Sequence, residues 1–270
     1  MRWLILLLIK KQKNMKIAII GTGALGGAIA KKLSAVGYKV KVTDTSPMSV
    51  MQETAIKLGA EAATIQEVVK DVDVVIISIP TIAIPNLPKD LFKKLPKEVI
   101  VIDTTNYYPY RDGLMDELVN GKLESVWVSE QLGRPVIKAF NNLLSYTLEH
   151  KGLSKGNENR VAMAISGDDE KAKEIVSKLI DDLGFDTLNT GSLLESWRHQ
   201  PGTPAYCTEL NSIELTQALK DADLFKSKAA YLRDLTTDKL MSRDTPPSHE
   251  EMLAVIRGLF PRISFIMNNK

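Results

Sequence analysis

From Met15 onward the chain alternates short apolar runs with stretches of helical spacing. Ile17 to Ile20, Val40 to Val42, Val74 to Ile79 and Val99 to Ile102 are almost continuously apolar and β-branched. Strands covered by helices on both faces have this pattern, so it predicts a parallel sheet. Between the first two runs, Leu25, Ile29, Leu33 and Val36 recur at helical spacing and stop at Gly37, a natural helix terminator. Val136 to Phe140 reads as a further strand, and a helix through Leu143, Leu144, Thr147 and Leu148 runs to the break at Gly152. Lys151 to Asn159 is polar and reads as a linker.

The alternation continues beyond it. Val161 to Ile165 predicts a strand, Asp168 a cap for a helix from Asp169 to Leu183, and Gly184 to Leu188 another strand. From Leu193 only helices are predicted: Leu193 to His199, Tyr206 to about Leu219, Leu224 to Met241, and Ser248 to Phe260. Ser248 with Glu251 offers the last one a capping box. Leu253, Ile256 and Phe260 share one face of that helix, which suggests a homodimer.

Composition narrows the partners. The chain has 35 Lys and Arg against 33 Asp and Glu, a net charge of +2, and is 44% hydrophobic. Four of the basic residues, Arg2, Lys10, Lys11 and Lys13, lie in the first 14 positions, where no acid occurs. The rest is close to neutral, which argues against nucleic acid and anionic lipid as partners, since both are bound by neutralising phosphates. The apolar run Trp3 to Ile9 is too short to span a bilayer and leads straight into lysines rather than a cleavage site. Met15 reads as the true beginning of the fold, with residues 1–14 a tail produced by an upstream start; a weak interfacial anchor is the competing reading. Cys207 is the single cysteine, which forbids an internal disulfide, offers no metal-ligand spacing and fits a reducing cytoplasm.

The strongest chemical signal is Gly21-Thr22-Gly23-Ala24-Leu25-Gly26, directly between the first strand and its helix. Gly21 permits a tight turn, Gly23 lets the backbone approach a pyrophosphate, and Gly26 lets helix and strand pack closely. The amides at Ala24 to Gly26 and the helix dipole would hold that anion without a basic side chain. The fold class is therefore α/β: a Rossmann-type doubly wound parallel sheet with a smaller, mainly helical C-terminal region. Residues 15–155 form the dinucleotide-binding domain, and residues 156–270 an α/β and helical region closing the cleft.

Asp44 follows the second strand, where such folds read the adenine ribose, and its charge opposes the extra phosphate of NADP. NAD is favoured on this ground. Thr43, Thr45 and Ser46 offer hydroxyls that would solvate a phosphate if Asp44 turned away, and an acid after a strand also serves as a turn former. Ser78-Ile79-Pro80-Thr81 and Asp103-Thr104-Thr105-Asn106 end two further strands on the same side, where ligands of open parallel sheets bind. Their residue types serve equally well to end strands and start helices.

The segments Gly21 to Gly27, Ser78 to Pro80, Asp103 to Asn106 and Lys138-Ala-Phe-Asn141 resemble, in order and spacing, the deazaflavin-dependent NADP oxidoreductase-like family. The resemblance runs from about Met15 to Trp197. It implies a Rossmann domain delivering hydride from NAD(P) to a flat acceptor and, by family habit, a preference for NADP. It also implies that Gly21, Gly23 and Gly26 hold the pyrophosphate, that Ser78 and Pro80 approach the ribose region, and that Asn106, Ala139 and Phe140 sit near the nicotinamide. Thr43-Asp44-Thr45-Ser46 departs from the family loop that carries a 2′-phosphate-binding arginine, and Tyr107 replaces the family's proline. Glu195 to Tyr206 is a distinctive stretch to which the resemblance assigns no substrate.

Carbonyl reduction needs a proton donor, and the chain has three histidines. His150 and His249 fall at helix ends and read as structural. His199, before a Pro-Gly-Thr-Pro turn, is the candidate catalytic residue, against the ordinary alternative of a satisfied polar histidine; the adjacent Arg198 is an equally good anion binder. Lys138 falls on a strand and lacks the glycine-rich lysine motif of hydroxyacid dehydrogenases. Scarcity of acids and bases favours a deazaflavin, flavin or quinone-like ring, which needs mainly aligned packing of two planes. The expected partner is thus a small-molecule redox acceptor. Two alternative readings are a non-catalytic dinucleotide-binding sensor or interaction protein and a β-hydroxyacid dehydrogenase-like carbonyl reductase.

Overall fold

The computed structural model describes residues 15–268. The expectations for residues 1–14 lie outside them. Six parallel strands form the main sheet: β1 (Lys16–Ile20), β2 (Lys39–Thr43), β3 (Glu61–Ala62), β4 (Val74–Ile77), β5 (Ile100–Asp103) and β6 (Ile137–Lys138), in the order β3-β2-β1-β4-β5-β6. The apolar runs of β1 and β4 are buried on both faces, as their lack of alternation requires. Helices α1 (Ala24–Ala35) and α2 (Met48–Leu58) carry the crossovers between β1, β2 and β3, and α3 (Glu124–Leu132) precedes β6. Chain order reverses between β1 and β4, which makes the carboxyl ends of these two strands the switch point of the sheet.

After α4 (Ser145–His150), a second parallel pair, β7 (Ala162–Ile165) and β8 (Asp186–Asn189), flanks α5 (Glu170–Asp182). Just beyond β7, Ser166 exchanges both backbone hydrogen bonds with Lys138, at 2.8 and 3.0 Å, antiparallel, which joins the pair to the edge of the main sheet. One apolar cluster runs from Ile17 and Ile29 to Val176, Leu179 and Phe185, so both parts of the chain share a core. After β8 the chain forms the α-helices α6 (Ser212–Phe225), α7 (Ala229–Met241), α8 (His249–Arg257) and α9 (Pro261–Asn268). Among the described residues no helix is long and apolar enough to cross a membrane.

Several boundaries differ from the sequence expectations, each for a local reason. The strand expected to reach Phe140 stops at Lys138, and Phe140 takes φ +64°. Asp169, not Asp168, caps α5 through the amide of Ala172, while Asp168 accepts from the Leu193 amide. The helix expected from Tyr206 begins at Ser212, because Asn211 supplies a complete capping box with Glu214. Leu224 to Met241 is broken by a 3-10 turn at Lys226–Lys228. The capping box of Ser248 with Glu251 is present. Leu253, Ile256 and Phe260 are buried within the chain, the latter two against Ala205, Leu215 and Leu232, so the apolar face that suggested a dimer is covered internally.

Candidate functional site

The loop after β1 is shaped by contacts at its two outer glycines. Gly21 has φ +103°, and a Cβ there would lie 2.1 Å from the carbonyl oxygen of Ser78, so the ends of β1 and β4 meet backbone to backbone. A Cβ on Gly26 would lie 2.0 Å from the Gly21 carbonyl. At Gly23 nothing approaches within 4 Å. Gly23 is also the N-cap of α1, where no side chain satisfies the first amides and no acid occupies the first turn. Helix amides left without a side-chain partner, beside open space on an exposed Gly23 and Ala24, form a cradle for an anion. A pyrophosphate fits it. Thr22 and Leu25, half-buried, flank the turn, and a cavity of about 380 Å³ opens beside it with Lys31 and Lys57 on its wall. A larger cavity of about 910 Å³ lies at the opposite, amino ends of β1, β4 and β5, lined by Lys16, Val74 and Ile100. Strand polarity makes that the wrong end for a dinucleotide.

Asp44 stands beside the loop. Its carboxylate accepts from the Thr22 hydroxyl and, at 2.7 Å, from the Ser46 amide. Partial burial pushes its carboxyl up, but these hydrogen bonds outweigh that and hold it below the usual range, so Asp44 is ionised. Thr45 and Ser46 are exposed on the turn, and Thr43 is buried. At the neighbouring strand end Ser78 and Ile79 are half-buried. Pro80 is exposed and opens the 3-10 segment Thr81–Asn86, as its residue type alone would have it do.

Further along the same edge, Asn106 follows β5. Its side-chain amide donates to the Asn141 carbonyl at 3.0 Å and receives a bond from Asn141 Nδ2 at 3.1 Å. Asn141 in turn pairs with His199, Nδ1 to Oδ1 at 2.9 Å, and His199 Nε2 lies 2.8 Å from Ser166 Oγ. His199 is wholly buried, and burial, with Lys138 nearby, pulls its pKa down to about 3. This corrects the reading of His199 as the candidate catalytic residue: it is a neutral histidine locked behind Asn141 and Asn106. Ala139 and Phe140 are likewise buried in the core, so their side chains are not on the cleft wall. Arg198 pairs with Glu195 at 2.6 Å and Asp223 at 2.9 Å, which corrects its reading as a free anion binder. Lys138 is buried against Asp103 at 3.0 Å, a neutralised pair beneath the strand ends.

Sequence reasoning missed Tyr108 and Tyr206, whose hydroxyls meet 2.6 Å apart beside Asn106. Separated by 98 positions, they carry no local signal of proximity. Among the described residues no group of three or more metal-ligating side chains occurs.

Comparison with known proteins agrees with the geometry. The family described as NADP oxidoreductase coenzyme F420-dependent matches residues 16–107. The Escherichia coli K12 protein YjhV is 38% identical over 71 residues, 26% of this chain and 52% of YjhV, so the chain spans about half the length of that curated relative. Among solved structures, the hypothetical protein SMa0349 of Sinorhizobium meliloti is 26% identical at TM-score 0.62, covering 74% of this chain and 96% of that one. A protein of Arthrobacter sp. FB24, described as an F420-dependent NADP-reductase, shares the fold at 20% identity and TM-score 0.57, with coverage of 68% and 87%. The fold is the Rossmann type shared by NAD(P)-dependent oxidoreductases.

Proposed function

We propose that the protein is an NAD(P)H-dependent oxidoreductase that prefers NADH and passes hydride to a small acceptor held against Asn106. The observation that carries this reading is the uncapped N-terminus of α1, with open space at Gly23, beside an ionised Asp44 at the switch point of the sheet. Gly23, Ala24 and Leu25 would hold the pyrophosphate by backbone amides, and Asp44 would accept from the ribose hydroxyls in exchange for its bonds to Thr22 and Ser46. A fixed negative charge there disfavours a 2′-phosphate, although the family is described by NADP. When bound, reduced nicotinamide supplies the hydride. The chain supplies a rigid floor: the Asn106–Asn141–His199 hydrogen bonds fix the amide that faces the acceptor, and the buried Lys138–Asp103 pair fixes the end of β5. A flat carbonyl-bearing ring such as a deazaflavin, flavin or quinone is the acceptor class the family suggests. The protein would act in the cytoplasm on small molecules without nucleic acid.

Titration of tryptophan fluorescence with NADH and NADPH tests the reading. Tighter binding of NADH, followed by stereospecific oxidation of bound NADH when acceptor is added, is the expected result. Absence of binding by either dinucleotide would overturn it.

A further inference from the structure

The segment from Glu195 to Tyr206 has no role in the dinucleotide cradle, yet it is fastened to the residues after β6 at several points. Asn141 Nδ2 donates to the His199 carbonyl at 2.8 Å, Asn142 Nδ2 to the Ala205 carbonyl at 3.3 Å, and the Cys207 amide to the Asn142 carbonyl at 3.0 Å. Gly202, at φ +88°, lets the turn rest on α7, where a Cβ would lie 1.9 Å from the Ala229 carbonyl. Immediately after the segment, Cys207 and Glu209 both take φ +53°, left-handed conformations that are costly for a non-glycine residue and persist only where the surroundings over-determine them.

This strained, well-anchored loop brings one half-buried side chain, Tyr206, to the end of β5. Its hydroxyl lies 2.6 Å from that of Tyr108 and 3.4 Å from Asn106 Nδ2. A cavity of about 20 Å³, enough for about one water molecule, is lined by both tyrosines together with Thr203, Arg233 and Thr236.

We infer that Tyr206 is the proton donor of the reduction and that Tyr108 restores its proton. The inference rests on the reductase reading and deepens it, because it requires an acceptor whose reducible carbon is double-bonded to oxygen or nitrogen, or conjugated to such a bond: a ketone, an aldehyde, an imine or a deazaflavin ring. Hydride from NAD(P)H forms the new C–H bond, and the π electron pair moves to the heteroatom. That atom takes the proton of the Tyr206 hydroxyl as its O–H bond breaks. The Tyr108 hydroxyl then reprotonates Tyr206 and recovers its own proton from solvent. One NAD(P)H and one proton are consumed for each NAD(P)⁺ and reduced product. Burial pushes both phenols above their ordinary range, so they remain protonated at neutral pH, and the anion developing on the acceptor is a strong enough base to take the proton.

The test compares wild type with Tyr206→Phe and Tyr108→Phe. Three measurements are made: NADH binding by tryptophan fluorescence, single-turnover oxidation of bound NADH in H₂O and D₂O with aldehyde, ketone, imine, flavin and deazaflavin acceptors, and alkaline titration of the tyrosinate absorbance. Removal of a positioned proton donor is expected to slow turnover by ~100-fold or more in Tyr206→Phe, and less in Tyr108→Phe, with NADH affinity retained. The solvent isotope effect of wild type should change in both variants, and each should lose one late-titrating tyrosine. A Tyr206→Phe enzyme that folds, binds NADH and turns over within about threefold of wild type overturns this inference alone. Wild type that binds NADH yet oxidises it with none of these acceptors overturns the reductase reading beneath it.

Discussion

Thr22, in the glycine loop, donates its hydroxyl hydrogen to the carboxylate of Asp44 at the end of β2. The bond ties the element that would hold phosphate to the element that would read ribose, and it helps keep Asp44 ionised. Asp44→Asn keeps the shape and removes the charge, so it is expected to weaken NADH by about tenfold and to improve NADPH relative to it by at least as much, a change of about 1.4 kcal/mol in each comparison. Fluorescence titration of both dinucleotides reads this directly. Thr22→Val should shift the preference the same way but less, because the Ser46 amide still holds the carboxylate.

Gly23 and Gly26 separate binding from folding. An added methyl at Gly26 collides with the Gly21 carbonyl, whereas one at Gly23 meets only open space. Gly26→Ala is therefore expected to lower stability by about 2–4 kcal/mol, as overpacking and backbone displacement do. Gly23→Ala should unfold like wild type and still lose dinucleotide affinity, because its methyl enters the volume a pyrophosphate needs. Denaturant unfolding and NADH titration on the same two variants would show the split; equal NADH affinity in wild type and Gly23→Ala would contradict the cradle.

The geometry of the glycine loop is legible in the sequence because it is local: strand, glycines and helix follow one another within the ten residues after Ile17, and each residue type has a backbone reason to be there. The strands of the main sheet were legible for the same reason, since buried parallel strands write continuous apolar runs. The floor of the site was not. Asn106, Asn141, Ser166 and His199 come from four separate parts of the chain, and a buried histidine whose two nitrogens are satisfied looks in sequence like one available for catalysis. Leu253, Ile256 and Phe260 misled in the opposite direction, because an amphipathic stripe does not state whether its cover comes from the same chain or another.

Lys138 and Asp103 offer a test of what holds the strand ends. Both side chains are essentially inaccessible, and Asp103 also accepts from the Thr105 amide at 2.8 Å. Removing one partner leaves the other charge buried alone, so Lys138→Met is expected to cost about 3–5 kcal/mol in denaturant unfolding. Lys138→Met combined with Asp103→Leu should recover much of that loss, since two apolar groups replace an ion pair that was expensive to desolvate. A double variant as unstable as the sum of the two single ones would mean the pair is not coupled.

His199 gives the protein a definite response to acid. Its pKa is pulled from the ordinary 6.5 down to about 3 by burial and by the charge of Lys138. The native state therefore stays unprotonated at this ring between those two values, while the unfolded chain takes up a proton there. The stability associated with the neutral histidine is complete above pH 6.5 and is eroded as the pH falls from 6.5 towards 3, at a limiting slope of about 1.4 kcal/mol per pH unit. Asp44 and Asp181, whose carboxyls are also held low, add to the loss only near the lower end of that window. His199→Gln retains an amide donor and acceptor for Asn141 and Ser166 but cannot be charged. It should be less stable than wild type at pH 8 because the hydrogen-bond geometry is poorer. Between pH 7 and pH 5, however, it should lose about 2 kcal/mol less than wild type does. Denaturant unfolding of the two proteins across this range measures the difference. Parallel stability curves would show that the buried ring is protonated in the native state, and the Asn106–Asn141 floor would then carry a positive charge at its back.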